Sequence, residues 1–140
     1  ESKSEIIEIH RIAKLKKKKV QIGIRLNPNT DAKTLSQIST GKKENKFGVN
    51  EKTLSELVNY CKKSSNLKLK CLSVHIGSQI LDYKPYEKML KVINRIIEKV
   101  NYQFEFIDLG GGMGISYDDN DKKLNYKKYN LAIKNFLKNH

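Results

Sequence analysis

The sequence predicts an α/β domain built on a parallel sheet. Three short apolar runs of strand length alternate with segments of helical periodicity. The resulting order, α-β-α-β-α-β-α, is the pattern of right-handed βαβ units. No Gly/Ser-rich or Pro-rich linker interrupts it, so the 140 residues read as one domain.

The elements follow in order. The opening "SEIIEIHRIAKL" reads as a helix with Ile6, Ile9 and Ala13 on its inner face. "VQIGIRL", Val20 to Leu26, is the first strand. From Asn27 to Asn50 more than twenty residues lack clear periodicity, a length that marks a functional loop or a chemically silent insertion. Thr53 and Glu56 have capping-box spacing, and Leu54, Leu57, Val58 and Cys61 then mark one helical face. "LKCLSVHIG", Leu69 to Gly77, is the second strand. After Pro85, Tyr86, Met89, Leu90, Ile93, Ile97 and Val100 recur at helical spacing. "FEFIDLG", Phe104 to Gly110, is the third strand, and Tyr129, Ile133, Phe136 and Leu137 mark the last helix.

Composition excludes several classes. No apolar run approaches the ~18 residues a membrane span needs, and no signal-peptide pattern opens the chain. It begins with Glu1 rather than Met, which suggests a piece of something longer. Cys61 and Cys71 sit inside apolar patterns and read as two core thiols in a reducing compartment. The net charge of +13 invites a nucleic-acid reading. However, the excess is nearly all Lys, with one cluster at Lys14 and Lys16 to Lys19, and the only arginines are Arg11, Arg25 and Arg95. A binding stripe adds arginines and interleaved aromatics, so a solvated Lys-rich surface accounts better for the charge.

Chemistry concentrates at "IDLGGGMGI", Ile107 to Ile115, where four of five consecutive positions are glycine. A dinucleotide fingerprint starting at Gly110 requires glycine at 115, and that residue is Ile115. Asp108, Gly110, Gly112 and Gly114 match the short glycine loop of methyl-donor enzymes. That loop should follow the first strand and lead to a second strand ending in an acid; here it follows the third and leads into the polar "SYDDNDKKLNY". Two readings remain open: a cradle of backbone N–H groups for a phosphate, or a tight turn with close backbone packing.

The second strand ends in "HIGSQ", His75 to Gln79. In a parallel array this turn shares a rim with Gly110 to Gly112. His75 alone reads as a satisfied core residue. With Gly77 and Ser78 beside it, the turn suits a planar aromatic carrying a phosphate, the imidazole on the ring and Ser78 with glycine amides on the phosphate. No Cys/His/carboxylate spacing suggests a metal, and no nucleophile with a base is recognisable.

Together "HIGSQI" and "DLGGGMGI" resemble the diaminopimelate decarboxylases, within the ornithine/diaminopimelate/arginine decarboxylase family of fold-type III pyridoxal-phosphate enzymes. "RLNPNTDAKTLSQISTGKKENKFGV" is similar to that family's segment throughout, and the likeness spans essentially the whole chain. The resemblance implies a partial (β/α)₈ TIM barrel, about three parallel strands with flanking helices, from the centre of a pyridoxal-phosphate-binding barrel domain. It implies that His75 stacks on the pyridine ring and that Ser78, Gly110, Gly111 and Gly112 bind the phosphate. It gives Arg25 a supporting polar role and Asp108 the orienting of the glycine turn. In the family the Schiff-base lysine lies upstream; the acid paired with the pyridine nitrogen, the final strands and a C-terminal β domain lie downstream. No catalytic residue is therefore expected in this chain, and the segment alone is expected to be inactive and aggregation-prone.

The implied activity of the whole protein is pyridoxal-phosphate-dependent decarboxylation of meso-diaminopimelate to L-lysine, in a cytoplasmic homodimer acting on a small amino acid, with no nucleic-acid or membrane partner. Related ornithine and arginine decarboxylases more often carry HVGSG, so Gln79 and the "STG…NKFG" loop favour diaminopimelate. A basic-amino-acid decarboxylase of the same family, or a non-catalytic regulatory relative, is the alternative.

Overall fold

The computed structural model describes residues 1–30, 47–117 and 123–138. Four helices, α1 (Lys3–Leu15), α2 (Glu51–Lys62), α3 (Lys84–Val100) and α4 (Tyr126–Leu137), alternate with three strands, β1 (Val20–Leu26), β2 (Leu67–Val74) and β3 (Phe106–Asp108). The strands form one parallel sheet in the order β1-β2-β3. Most of the long loop after β1, including "STG…NK", lies outside the described residues. Its end returns to the sheet: the Val49 N–H donates to the Arg25 carbonyl and the Asn27 N–H to the Val49 carbonyl.

One sheet face is covered by helices. From β1, Ile24 and Leu26 point into that layer, while Gln21, Gly23 and Arg25 lie on the other side. β2 carries one extra residue. Ile22 pairs with Leu69 and Gly23 with Cys71, so Lys70 has no partner across the ladder. Before this bulge Leu67 and Leu69 are buried against the helices; after it Leu72 and Val74 are, and Cys71, Ser73 and His75 stay part-exposed. Gly23 keeps β1 clear of the bulge, since a Cβ there would lie a tight 3.0 Å from that of Cys71.

The helices close the core with the residues their periodicity marks. Tyr86, Met89, Leu90, Ile93 and Val100 of α3 are buried, joined by Ile96; Ile97 is partly covered. α2 starts earlier than Thr53. Asn50 is its N-cap, its side-chain oxygen accepting from the Thr53 N–H at 2.9 Å. On α4 Phe136 is buried and Tyr129 and Ile133 pack against the core, but Leu137 in the last turn is exposed. The third strand is only three residues long, because left-handed glycines turn the chain away at Gly110.

Glu51 ties α2 to α3. Its carboxylate accepts from Lys99 Nζ at 2.6 Å and from Arg95 Nη2 at 2.7 Å. The Lys99 hydrogen bond, aided by both charges and opposed by partial burial, holds this carboxyl below the usual range. A depressed folded-state pKa gives stability above the unfolded value that is lost as pH falls through the folded one. Glu51→Gln is therefore expected to cost about 0.5–1 kcal/mol at neutral pH. Thermal unfolding of the whole protein should show that deficit narrowing as pH drops through the carboxylate range; a deficit independent of pH would remove the ionic explanation.

Candidate functional site

The C-terminal ends of β2 and β3 lie side by side, so the turns leaving them meet. The Ile80 N–H donates to the Gly112 carbonyl at 3.0 Å and the Gly114 N–H to the Ile80 carbonyl at 3.1 Å, a two-bond stitch between the loops. Gln79 adds two more: its Oε1 accepts from the Ile115 N–H at 3.0 Å and its Nε2 donates to the Tyr117 hydroxyl at 2.9 Å.

Gly110, Gly111 and Gly112 have φ of +76°, +66° and +77°, a left-handed region costly to any other residue. Space requires glycine at the outer two as well. A Cβ on Gly110 would overlap the Val74 carbonyl, and one on Gly112 the Gly77 carbonyl. At Gly111 a Cβ would meet nothing within 4 Å, so the middle of the loop faces open space. Asp108 Oδ1 accepts from the Gly110 N–H at 2.8 Å and closes the turn at its start.

All three glycine carbonyls are held by the fold. Gly110 O accepts from His75 Nδ1 at 2.7 Å, Gly111 O from the Tyr86 hydroxyl at 3.0 Å, and Gly112 O from the Ile80 N–H. A carbonyl can only accept, so His75 carries a proton on Nδ1. No peptide bond here is cis, and in a trans peptide the C=O and the following N–H point in opposite directions. The N–H groups of Gly111, Gly112 and Met113 therefore point away from these three anchors. Among the described residues no hydrogen bond engages them.

Beside this loop a cavity of about 380 Å³ opens on the uncovered face of the sheet, lined by Arg25, Ser73, His75, Asp108 and Gly110 among others. Arg25 is held there from two sides: its Nη1 donates to Glu1 Oε1 at 2.8 Å and its guanidinium lies 5.1 Å from the Phe47 ring centre. The other Glu1 carboxylate oxygen accepts from the Gly48 N–H. Ser78 is exposed, with no hydrogen bond on its hydroxyl among the described residues. Thus Arg25, His75, Asp108 and Gly110 share one cavity, and Ser78, Gly111 and Gly112 lie on the adjoining turns.

Other chemistry is limited. Burial raises the Cys71 thiol and pushes that of Cys61 up to about 11, so neither is a ready thiolate; both are free. No group of three metal-binding side chains occurs among the described residues, nor is any helix there long and apolar enough to cross a membrane. No described lysine lines the cavity. The sequence reading missed Tyr86 as a site residue. Its helical spacing placed the ring in the core, and nothing in that spacing showed the hydroxyl reaching Gly111.

Amides and a hydroxyl without partners among the described residues, with open space above the middle glycine, could together receive an anion. Residues 2–140 match the family model of the pyridoxal-dependent decarboxylase, pyridoxal binding domain. The chain is 42% identical to a diaminopimelate decarboxylase of Helicobacter pylori over 98% of its length and 34% of that protein. To that of Aquifex aeolicus it is 34% identical, over 99% of its length and 34% of that protein. It superposes on the H. pylori enzyme solved with L-lysine at a TM-score of 0.91 and 40% identity, covering 99% of this chain and 36% of the other. For the M. jannaschii enzyme with L-lysine the TM-score is 0.76 at 29% identity, covering 96% and 32%. The chain thus spans about a third of the curated relatives it matches, and its three strands are part of their barrel.

Proposed function

The chain belongs to the family of pyridoxal-dependent decarboxylases, through their pyridoxal-binding domain, and on that premise we propose that the whole protein decarboxylates meso-diaminopimelate to L-lysine using pyridoxal phosphate. The observation that carries the reading is the glycine loop, with three carbonyls tied down and the opposing amides unpaired. The relatives supply the substrate class, since each is named a diaminopimelate decarboxylase.

The residues present fit the cofactor. Gly111 and Gly112 offer amides, and Ser78 a hydroxyl, to a phosphate that the open space over Gly111 can admit. His75, fixed by its bond to Gly110, offers a flat imidazole to the ring. Pyridoxal phosphate, when bound, supplies the electron sink that takes up the pair left by departing CO₂. This segment's part is to seat and orient. Asp108 holds the entrance to the glycine turn, and Arg25, neutralised by Glu1 and backed by Phe47, sets the polar wall opposite it. The lysine and the acid the chemistry needs lie elsewhere in the protein on this reading, as do the remaining barrel strands and the β domain. We further propose that the enzyme is a cytoplasmic homodimer; the two free thiols of this segment suit a reducing compartment.

Turnover by the full-length protein tests this. Release of CO₂ from meso-diaminopimelate, with ornithine and arginine much slower, is expected. Preference for ornithine would replace the reading by the related basic-amino-acid decarboxylase, and cofactor binding without turnover of any of the three would favour a regulatory relative.

A further inference from the structure

We propose that Tyr86, a buried tyrosine of α3 outside both rim turns, is a positioning residue that aims the Gly112 N–H at the cofactor's phosphate. The inference rests on the pyridoxal-phosphate reading above and extends it to a residue with no place in either glycine-containing turn.

Little else among the described residues holds Gly111. Its N–H has no partner among the described residues, and a Cβ built on it would meet nothing within 4 Å. Glycine accepts either sign of φ at little cost, so backbone preference alone does not fix the orientation of the Gly111–Gly112 peptide. The described tether is the Tyr86 hydroxyl, donating to Gly111 O at 3.0 Å. Tyr86 in turn has no freedom. Its side chain is fully buried, and its ring stands edge-on to Tyr129, centroids 5.0 Å apart at 79°. Burial, with Tyr129 and Tyr126 near, raises the hydroxyl's pKa, so it stays a donor across the physiological range.

The consequence is geometric. With Gly111 O drawn toward α3, the Gly112 N–H of the same trans peptide faces the opposite way, toward the open side of the loop. A flip of this one peptide would exchange the two groups and present a carbonyl oxygen where a dianion must sit. The neighbouring carbonyls of Gly110 and Gly112 have their own anchors, so the flip can be confined to one peptide.

The test compares Tyr86→Phe with the wild type in the full-length protein stripped of cofactor, titrated with pyridoxal phosphate and with unphosphorylated pyridoxal. The expected result is about tenfold weaker binding of pyridoxal phosphate, a charge-assisted hydrogen bond's worth, with pyridoxal binding changed less than about twofold on the same grounds, because pyridoxal lacks the phosphate. Equal weakening of both would reduce Tyr86 to a structural role and overturn the proposal. Failure of the wild type to bind pyridoxal phosphate would sink the functional reading itself. A second readout avoids the variant: with ¹⁵N-glycine labelling, the wild-type Gly112 amide proton should move downfield with pyridoxal phosphate and not with pyridoxal. An amide proton indifferent to the phosphate would equally overturn it.

Discussion

Gly112→Ala is expected to weaken loading of the full-length protein with pyridoxal phosphate at least about a hundredfold while leaving most of the fold in place. Two costs add. An alanine at φ +77° pays the left-handed penalty of about 1–2 kcal/mol, and its methyl would overlap the carbonyl of Gly77. That carbonyl belongs to the turn bearing Ser78, so relief comes only by parting the two loops, against the Ile80 stitch and the Gln79 bonds. A drop of at least a hundredfold in affinity, about 2.7 kcal/mol, should appear in cofactor titrations. Gly111→Ala is the control, since its methyl meets no protein atom within 4 Å. It should leave thermal stability nearer the wild type than Gly112→Ala does. If Gly112→Ala loads normally, the close apposition of the two turns has no bearing on the cofactor.

The second large effect is at His75, where the alanine and asparagine variants should differ. His75→Ala removes the donor to Gly110 O, leaving a carbonyl unpaired at about 1–3 kcal/mol. It also removes the ring offered to the pyridine, a loss of the order of 1 kcal/mol by analogy with aromatic pairs. Together these predict roughly a thirty- to a thousandfold loss of cofactor affinity. Asparagine places its amide nitrogen near the position of Nδ1 and can restore the bond to Gly110 without the ring. His75→Asn should therefore recover much of the affinity but not the turnover. If both variants bind alike, anchoring the glycine loop is not what His75 contributes.

The existence and order of the strands could be read from apolar runs, because a sheet covered by helices selects for them. The ends were less legible. The third run extends from Phe104 to Gly110, but only Phe106–Asp108 pairs with β2. Phe104 instead meets the Tyr102 ring, and the turn begins at Gly110. The cap of α2 is at Asn50 rather than at the Thr53–Glu56 pair, since any of several Asx or Thr side chains can cap and the chain's path decides which does. At the site, the glycine run stood out by itself, whereas His75 was singled out by Gly77 and Ser78 beside it and by the family resemblance. Spacing was silent on Tyr86 and Glu1, whose bonds to Gly111 and Arg25 cross 25 and 24 residues. Such contacts form when elements dock, and a local pattern carries no trace of them.

The extra residue at Lys70 has one more effect. Side chains along a strand alternate by odd and even number. In β2 the odd-numbered Leu67 and Leu69 are buried against the helices, whereas beyond Lys70 the even-numbered Leu72 and Val74 take that place. Counted straight through from Leu67, His75 would be on the helix side, with Val74 in the cavity. The bulge acts as a one-residue frameshift in the sheet's alternation. It puts an imidazole within reach of Gly110, five positions and one strand end away from the irregularity that decides it.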